Sequence, residues 1–74
     1  PVILSKSDII GIFDEVGKFR VDNSGELVFD KDVDREAFQR IERIHNTGKL
    51  KVPKDVHYLA LVKAGHINGT IEKY

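Results

Sequence analysis

Basic side chains in the second half of this sequence have the clearest capacity for chemistry, because their charged groups can bind phosphates. The residues that cluster there are Lys49, Lys51, Lys54, His57 and Lys63. Neutralising a few phosphates releases counterions, so this cluster predicts weak, salt-sensitive binding to DNA. Arginines of an expected second helix would extend it, namely Arg35, Arg40 and Arg43. The alternative interpretation of the cluster is a solvated face that binds nothing.

The acidic residues and the histidines do not form a known metal motif. Asp30, Asp32 and Asp34 stand at the first, third and fifth positions of a calcium loop. Such a loop also needs glycine at its sixth position and glutamate at its twelfth, where this chain has Arg35 and Ile41. The three histidines lack the spacing that puts two imidazoles on one helical face. We therefore expect no metal and no cofactor.

The sequence starts with a proline that precedes a short apolar stretch, Pro1-Val2-Ile3-Leu4. This start resembles the tautomerase family, in which the secondary amine of an N-terminal proline is the proton-transfer base. The resemblance carries over Pro1 alone, and the short helix expected next departs from that family's β-α-β unit with a long first helix. The chain has no nucleophile-elbow serine and no phosphate-binding glycine loop. We therefore expect no catalytic residues and a protein that is not an enzyme.

Composition limits the chain to one small domain. Its 74 residues leave room for a single core, so we expect one domain over residues 1–74. The net charge is zero, but residues 14–45 carry nine acidic and six basic side chains, whereas residues 46–74 carry two and five. Without cysteine, disulfides and thiol catalysis are excluded. No apolar run reaches the ~18 residues of a membrane span, so we expect a cytoplasmic protein without membrane contact.

Capping and turn residues predict the first elements. Residues 1–4 suit a short edge strand, and the capping box Ser5-Lys6-Ser7-Asp8 begins a helix over residues 6–16 that ends at Gly17. The turn composition of residues 22–25, between two apolar triplets, predicts a β-hairpin over residues 19–29. No internal repeat is evident.

A second helix is expected after its N-cap, Asp34. Val33 and Phe38 occupy the two positions of a hydrophobic staple across this cap. The helix would end at Gly48, with Lys49 beside its negative end. Its buried stripe consists of Phe38, Ile41 and Ile44.

The last third of the chain allows two interpretations. Pro53, Asp55, Lys63 and Gly65 stand where a helix over residues 53–64 needs its start and stop residues. A strand over residues 55–64 is the alternative, because apolar residues also alternate there, at Val56, Tyr58, Ala60, Val62 and Ala64. We favour the helix. The dipeptide Asn68-Gly69 predicts a tight hairpin under either interpretation.

The helix-glycine-hairpin phrase at residues 61–69 resembles the junction of recognition helix and wing in winged helix-turn-helix domains. That resemblance implies DNA binding, with Lys54, His57 and Lys63 facing the duplex and Asn68-Gly69 at the tip of the wing. Two features depart from the family. The connection over residues 47–52 is longer than the usual turn, and the recognition helix is too apolar to leave a free face.

The sequence therefore predicts a small α+β domain with the order helix, β-hairpin, helix, helix, β-hairpin. If residues 55–64 are a strand, the order becomes β-α-β-β-α-β-β. The leading functional hypothesis is a small, non-enzymatic, winged-helix-like DNA-binding or regulatory module. The alternative is a protein-interaction or inhibitor module that uses an apolar or acidic surface. DNA and a protein are thus the two expected partners, and a homodimer is compatible with either.

Overall fold

The computed structural model describes residues 1–65 and 68–74 of the chain. These residues form a small α+β domain, which confirms the predicted fold class. The strands are β1 (Val2–Leu4), β2 (Phe19–Asn23), β3 (Glu26–Phe29), β4 (Ile41–Asn46), β5 (Lys49–Val52) and β6 (Thr70–Lys73). The helices are α1 (Lys6–Val16), α2 (Arg35–Phe38) and α3 (His57–Ala64), the last preceded by a 3₁₀ turn at Lys54–Val56.

The described strands pair in parallel and form two sheets. The larger sheet has the order β1-β3-β5-β6, and the smaller one consists of β2 and β4. Successive paired positions of the larger sheet, Val2, Leu27, Leu50 and Ile71, are 25, 23 and 21 residues apart. The chain therefore winds through stacked coils, each lying on its neighbour, as in solenoid proteins. The repetition lies in the structure, since no internal repeat is evident in the sequence.

The first predicted hairpin is wrong, because residues 24 and 25 form a corner between the two sheets. β2 pairs with β4, whereas β3 pairs with β1 and β5. Backbone groups at the corner bond to the next coil instead of across a hairpin. The Thr47 N–H donates to the Asn23 carbonyl at 2.9 Å, and the Lys49 N–H donates to the Gly25 carbonyl at 2.8 Å. Turn composition thus predicted a change of direction but could not say which strand would be the partner.

Two asparagines make the same hydrogen bonds one coil apart. The side-chain amide of each donates to the carbonyl two residues further on, at 3.1 Å for Asn23 and 3.2 Å for Asn46. Each also donates at 3.0 Å to a carbonyl of the next coil, that of Lys49 or Thr70. Asn23 Nδ2 further donates to Asn46 Oδ1 at 2.8 Å. Asn46 is only 1% exposed, and these bonds give its buried amide the partners it needs.

The predicted second helix is correct at its start and wrong in its length. Asp34 caps it through the Ala37 N–H at 3.0 Å, but α2 ends at Phe38 and the chain re-enters a strand at Ile41. The pair Phe19↔Ile41 is followed by Arg20↔Arg43, so β4 contains one extra residue at that point. In a regular strand the buried side chains are two residues apart, but this bulge places the buried Ile41 and Ile44 three residues apart. A spacing of three residues is also typical of a helix. Gly48 therefore lies in a corner rather than at a helix end.

The other two helix predictions are confirmed. α1 has the bounds predicted for it, with both halves of the Ser5–Asp8 capping box formed and Gly17 at φ 78°. α3 is also helical, so the strand alternative for residues 55–64 is wrong. The start and stop residues of the helix act on backbone groups close to them in the sequence. A strand with the alternating apolar pattern would instead have required a neighbouring strand to pair with. The edge strand expected over residues 1–4 forms as β1.

The predicted terminal hairpin is only partly within the described residues. Its first arm includes His66 and Ile67, which lie outside them. Its second arm forms β6, whose hydrogen-bonded neighbour is β5, in parallel orientation. This pairing is the same inter-coil pairing that β3 and β5 make, so β6 continues the ladder of coils.

The core lies between the two sheets and under the helices. Its largest fully buried side chains include Ile9, Phe29, Phe38, Ile44 and Leu50. The rings of Phe29 and Phe38 meet edge to face with centroids 5.3 Å apart, an arrangement that aromatic quadrupoles favour. In the described part of the chain no helix has the length and apolar character of a membrane span.

Candidate functional site

The structure distributes the predicted DNA-binding residues over three places. Lys49 and Lys51 lie on β5, and each faces a glutamate: Lys49 Nζ is 3.5 Å from Glu72 and Lys51 Nζ is 3.9 Å from Glu26. Both pairs are solvent-exposed, so they contribute little stability. The two glutamates nevertheless offset the positive charges of Lys49 and Lys51.

The remaining predicted residues lie along and before α3. Lys54 begins the exposed 3₁₀ turn, and His57 is the first residue of the helix, with Nε2 3.4 Å from the Ile71 carbonyl. Lys63 is half-buried in the last helical turn. At 1.5 Å per residue, six residues of helix put Lys63 about 9 Å along the axis from His57. Of the predicted wing turn, Asn68 is exposed and Gly69 is half-buried at the corner that leads into β6.

A groove on the surface is lined by cationic side chains that the sequence analysis did not assign to one site. We call it the cationic groove; it has a volume of about 460 Å³ and is lined by Phe13, Lys18, Gln39, Arg40 and Lys63. Its walls come from the ends of all three helices. Because α2 has four residues whereas α1 has eleven and α3 eight, the helical layer is interrupted between the two longer helices. The sequence analysis did not assign three of these lining residues to a site, because no local pattern shows that they lie beside Arg40 and Lys63. They are Phe13, Lys18 and Gln39.

Arg40 is the fixed member of the cationic groove. Its guanidinium lies 5.3 Å from the centroid of the Phe13 ring, within the range of a cation–π contact. Its Nη1 donates to the Glu36 carbonyl at 2.8 Å, and its Nη2 is 3.7 Å from the Glu36 carboxylate. The second contact joins residues four positions apart. Its Nε is buried and has no hydrogen-bond partner in the described part of the chain.

An ion cluster ties α1 to α2 and so holds two walls of the groove together. Lys6 Nζ donates to Asp34 Oδ2 at 2.8 Å and to Glu36 Oε1 at 3.1 Å. The hydrogen bond from Lys6, and then that from the Ala37 N–H, lowers the pKa of Asp34 below its usual value. The hydrogen bonds to Asp34 and then to Glu36 raise the pKa of Lys6 above its usual value.

The two ends of the ladder expose apolar side chains. At the first end β1 is an edge strand, and its Val2 and Ile3 are 64% and 59% exposed. At the other end β6 is an edge strand that carries Glu72 and Lys73. The adjoining helices also expose apolar residues, Ile12 and Val16 on α1 and Tyr58, Leu61 and Val62 on α3. Both ends therefore combine an open backbone edge with apolar surface.

Within residues 1–65 and 68–74, no group of three or more histidine or carboxylate side chains is placed to hold a metal ion. Comparison with known proteins finds no matching protein family, no matching curated protein and no matching solved structure.

Proposed function

We propose that this chain is a non-enzymatic protein-interaction module that binds a partner at the free edge of β1. The observation that carries the proposal is the exposure of Val2 and Ile3 on a strand that, among the described strands, is paired on one side only. An edge strand presents unpaired N–H and C=O groups that a partner strand can use. Backbone pairing would supply affinity there, and the exposed side chains would supply contact area.

The chemistry of the two edges favours β1 over β6. Natural proteins protect edge strands with charged side chains, and β6 has Glu72 and Lys73 in this role. β1 has the apolar sequence Val2-Ile3-Leu4 and no charged side chain. Its coil also exposes Val16, which is 68% exposed on α1. A partner at this edge would cover apolar surface that water now contacts.

The test places a charge on this edge without disturbing the fold. Ile3→Lys should abolish binding of a partner isolated with the wild-type chain, whereas Val62→Lys, at a 73% exposed position of α3, should not. Both sites are solvent-exposed, so each variant should stay within about 0.5 kcal/mol of wild-type stability. In the complex, amide hydrogen exchange should slow at residues 2–4. Undiminished binding by Ile3→Lys, or exchange protection elsewhere only, refutes the proposal.

A second proposal is weak binding of duplex DNA through α3, as a winged-helix-like or regulatory module would bind it. The support is the helical conformation of residues 57–64 together with exposed Lys54, His57 at the helix start and Lys63 at its end. Two or three phosphate contacts predict that log K falls with log salt at a slope of about −2 to −3. Lys51→Glu combined with Lys54→Glu should remove the binding. A protein that does not bind random duplex even at low salt excludes this proposal.

A further inference from the structure

We infer that the cationic groove is a binding site for the phosphoryl group of a small phosphorylated ligand, with Lys18, Arg40 and Lys63 as its cations. The site is separate from the β1 edge, so the inference does not depend on the proposed function. It is also separate from Lys54 and His57 of the DNA proposal, with which it shares only Lys63.

The charge balance of the groove sets it apart from the other lysines on the surface. Lys49 and Lys51 each face a glutamate, as expected in a chain of zero net charge. Lys18 and Lys63 form no ion pair in the described part of the chain, and no carboxylate lines the groove. Only Arg40 has a partial counter-charge, from Glu36 at 3.7 Å. An anion in the groove would supply the missing negative charge.

The hydrogen-bonding capacity of the groove also suits an oxyanion. The guanidinium of Arg40 is held against Phe13 and the Glu36 carbonyl, so little side-chain freedom is lost when it binds an anion. The Gln39 amide adds a neutral donor to the lining. Binding would therefore use donors that are already in position.

The shape of the groove favours a phosphoryl group over a carboxylate or a duplex. The three cations of the groove belong to three different segments of the chain. A phosphoryl group offers three oxygens and about two negative charges at neutral pH, whereas a carboxylate offers two oxygens and one charge. A volume of about 460 Å³ lies in the range of small-molecule sites. Duplex DNA requires cations that project from the surface, and Lys63 is half-buried.

The test is a titration of the intact chain with inorganic pyrophosphate, followed by calorimetry and by amide chemical shifts at low ionic strength. We expect saturable binding with one site per chain and shifts centred on Lys18, Gln39, Arg40 and Lys63. Lys18→Gln and Lys63→Gln should each weaken binding about tenfold, the effect of losing one charged hydrogen bond. Lys54→Gln removes the same charge from an exposed site outside the groove and should leave the affinity unchanged.

Neither Lys18 nor Lys63 is in the core, so we expect both variants to fold. Urea unfolding of each variant verifies that it does. No saturation below about 10 mM pyrophosphate, a free energy of binding weaker than about 3 kcal/mol, overturns the inference. Equal weakening by Lys54→Gln also overturns it, since that result means attraction by overall charge. A failure of partner binding at β1 has no bearing on either result.

Discussion

Replacing Asn46 with alanine tests whether the side-chain ladder at the corners holds the coils together. The Asn46 amide takes part in three hydrogen bonds, of 2.8, 3.2 and 3.0 Å, that reach both neighbouring coils. Each bond contributes about 1 kcal/mol net. We therefore expect Asn46→Ala to lower the free energy of unfolding by about 3 kcal/mol. That is a large part of the roughly 4–11 kcal/mol expected for a domain of this size.

The measurement is equilibrium urea unfolding at 25 °C. With a slope of about 1 kcal/mol/M for a small domain, the midpoint should fall by about 3 M. Asn23→Ala should have a smaller effect, because Asn23 is half-buried and water can replace some of its bonds. Ser24→Ala, at an exposed position of the same corner, is the control and should leave the midpoint nearly unchanged.

Asn46→Asp separates hydrogen bonding from shape. The substituted carboxylate keeps the acceptor that faces Asn23 but loses the donor that faces the Gly48 and Thr70 carbonyls. Burial and these carbonyls should raise the pKa of the carboxyl group in the folded state above its value in the unfolded state. The destabilisation due to its charge is therefore present above the unfolded-state pKa and disappears as the pH falls below that value. A loss below about 1 kcal/mol for Asn46→Ala, or one equal to that of Ser24→Ala, would refute the ladder as a source of stability.

Three further predictions concern other contacts between coils. Gly48→Ala should lower the urea midpoint far more than Gly25→Ala, because its Cβ would clash with the carbonyl of Gly25 and lie 2.7 Å from Ser24, whereas a Cβ at Gly25 meets nothing within 4 Å. Burial, and then two nearby aspartates, raises the pKa of Tyr74, so the wild type should lose stability as the pH rises above the usual tyrosine pKa, and Tyr74→Phe should show a flatter profile there. The pKa of Asp34 is lowered, so its stabilisation is present above the usual carboxyl pKa and is lost as the pH falls through the folded-state value. Asp34→Asn should therefore have a midpoint that depends less on pH in acid, and an unchanged dependence would contradict the assigned contact.

Part of the groove could be anticipated from the sequence. Lys63 and Arg40 belong to the basic groups that the sequence analysis identified. The approach of Lys18 and Phe13 to them depends on how α1 lies against α2. Lys6 bridges the two helices by contacts to Asp34 and Glu36, which lie 28 and 30 positions away along the chain. No local pattern reveals contacts at that separation.

Local chemistry by itself determined where the three helices begin and where α1 and α3 end. Ser5 and Asp8 begin α1 and Gly17 ends it, Asp34 begins α2, and Gly65 ends α3. Each of these signals acts within a few residues of backbone. Only the tertiary structure decided which strands pair. Parallel pairing joins residues more than 20 positions apart, so the turns at residues 24–25 and 47–48 could not show that they are corners of stacked coils. The bulge in β4, which gave a strand the spacing of a helix, likewise exists only because β2 lies beside it.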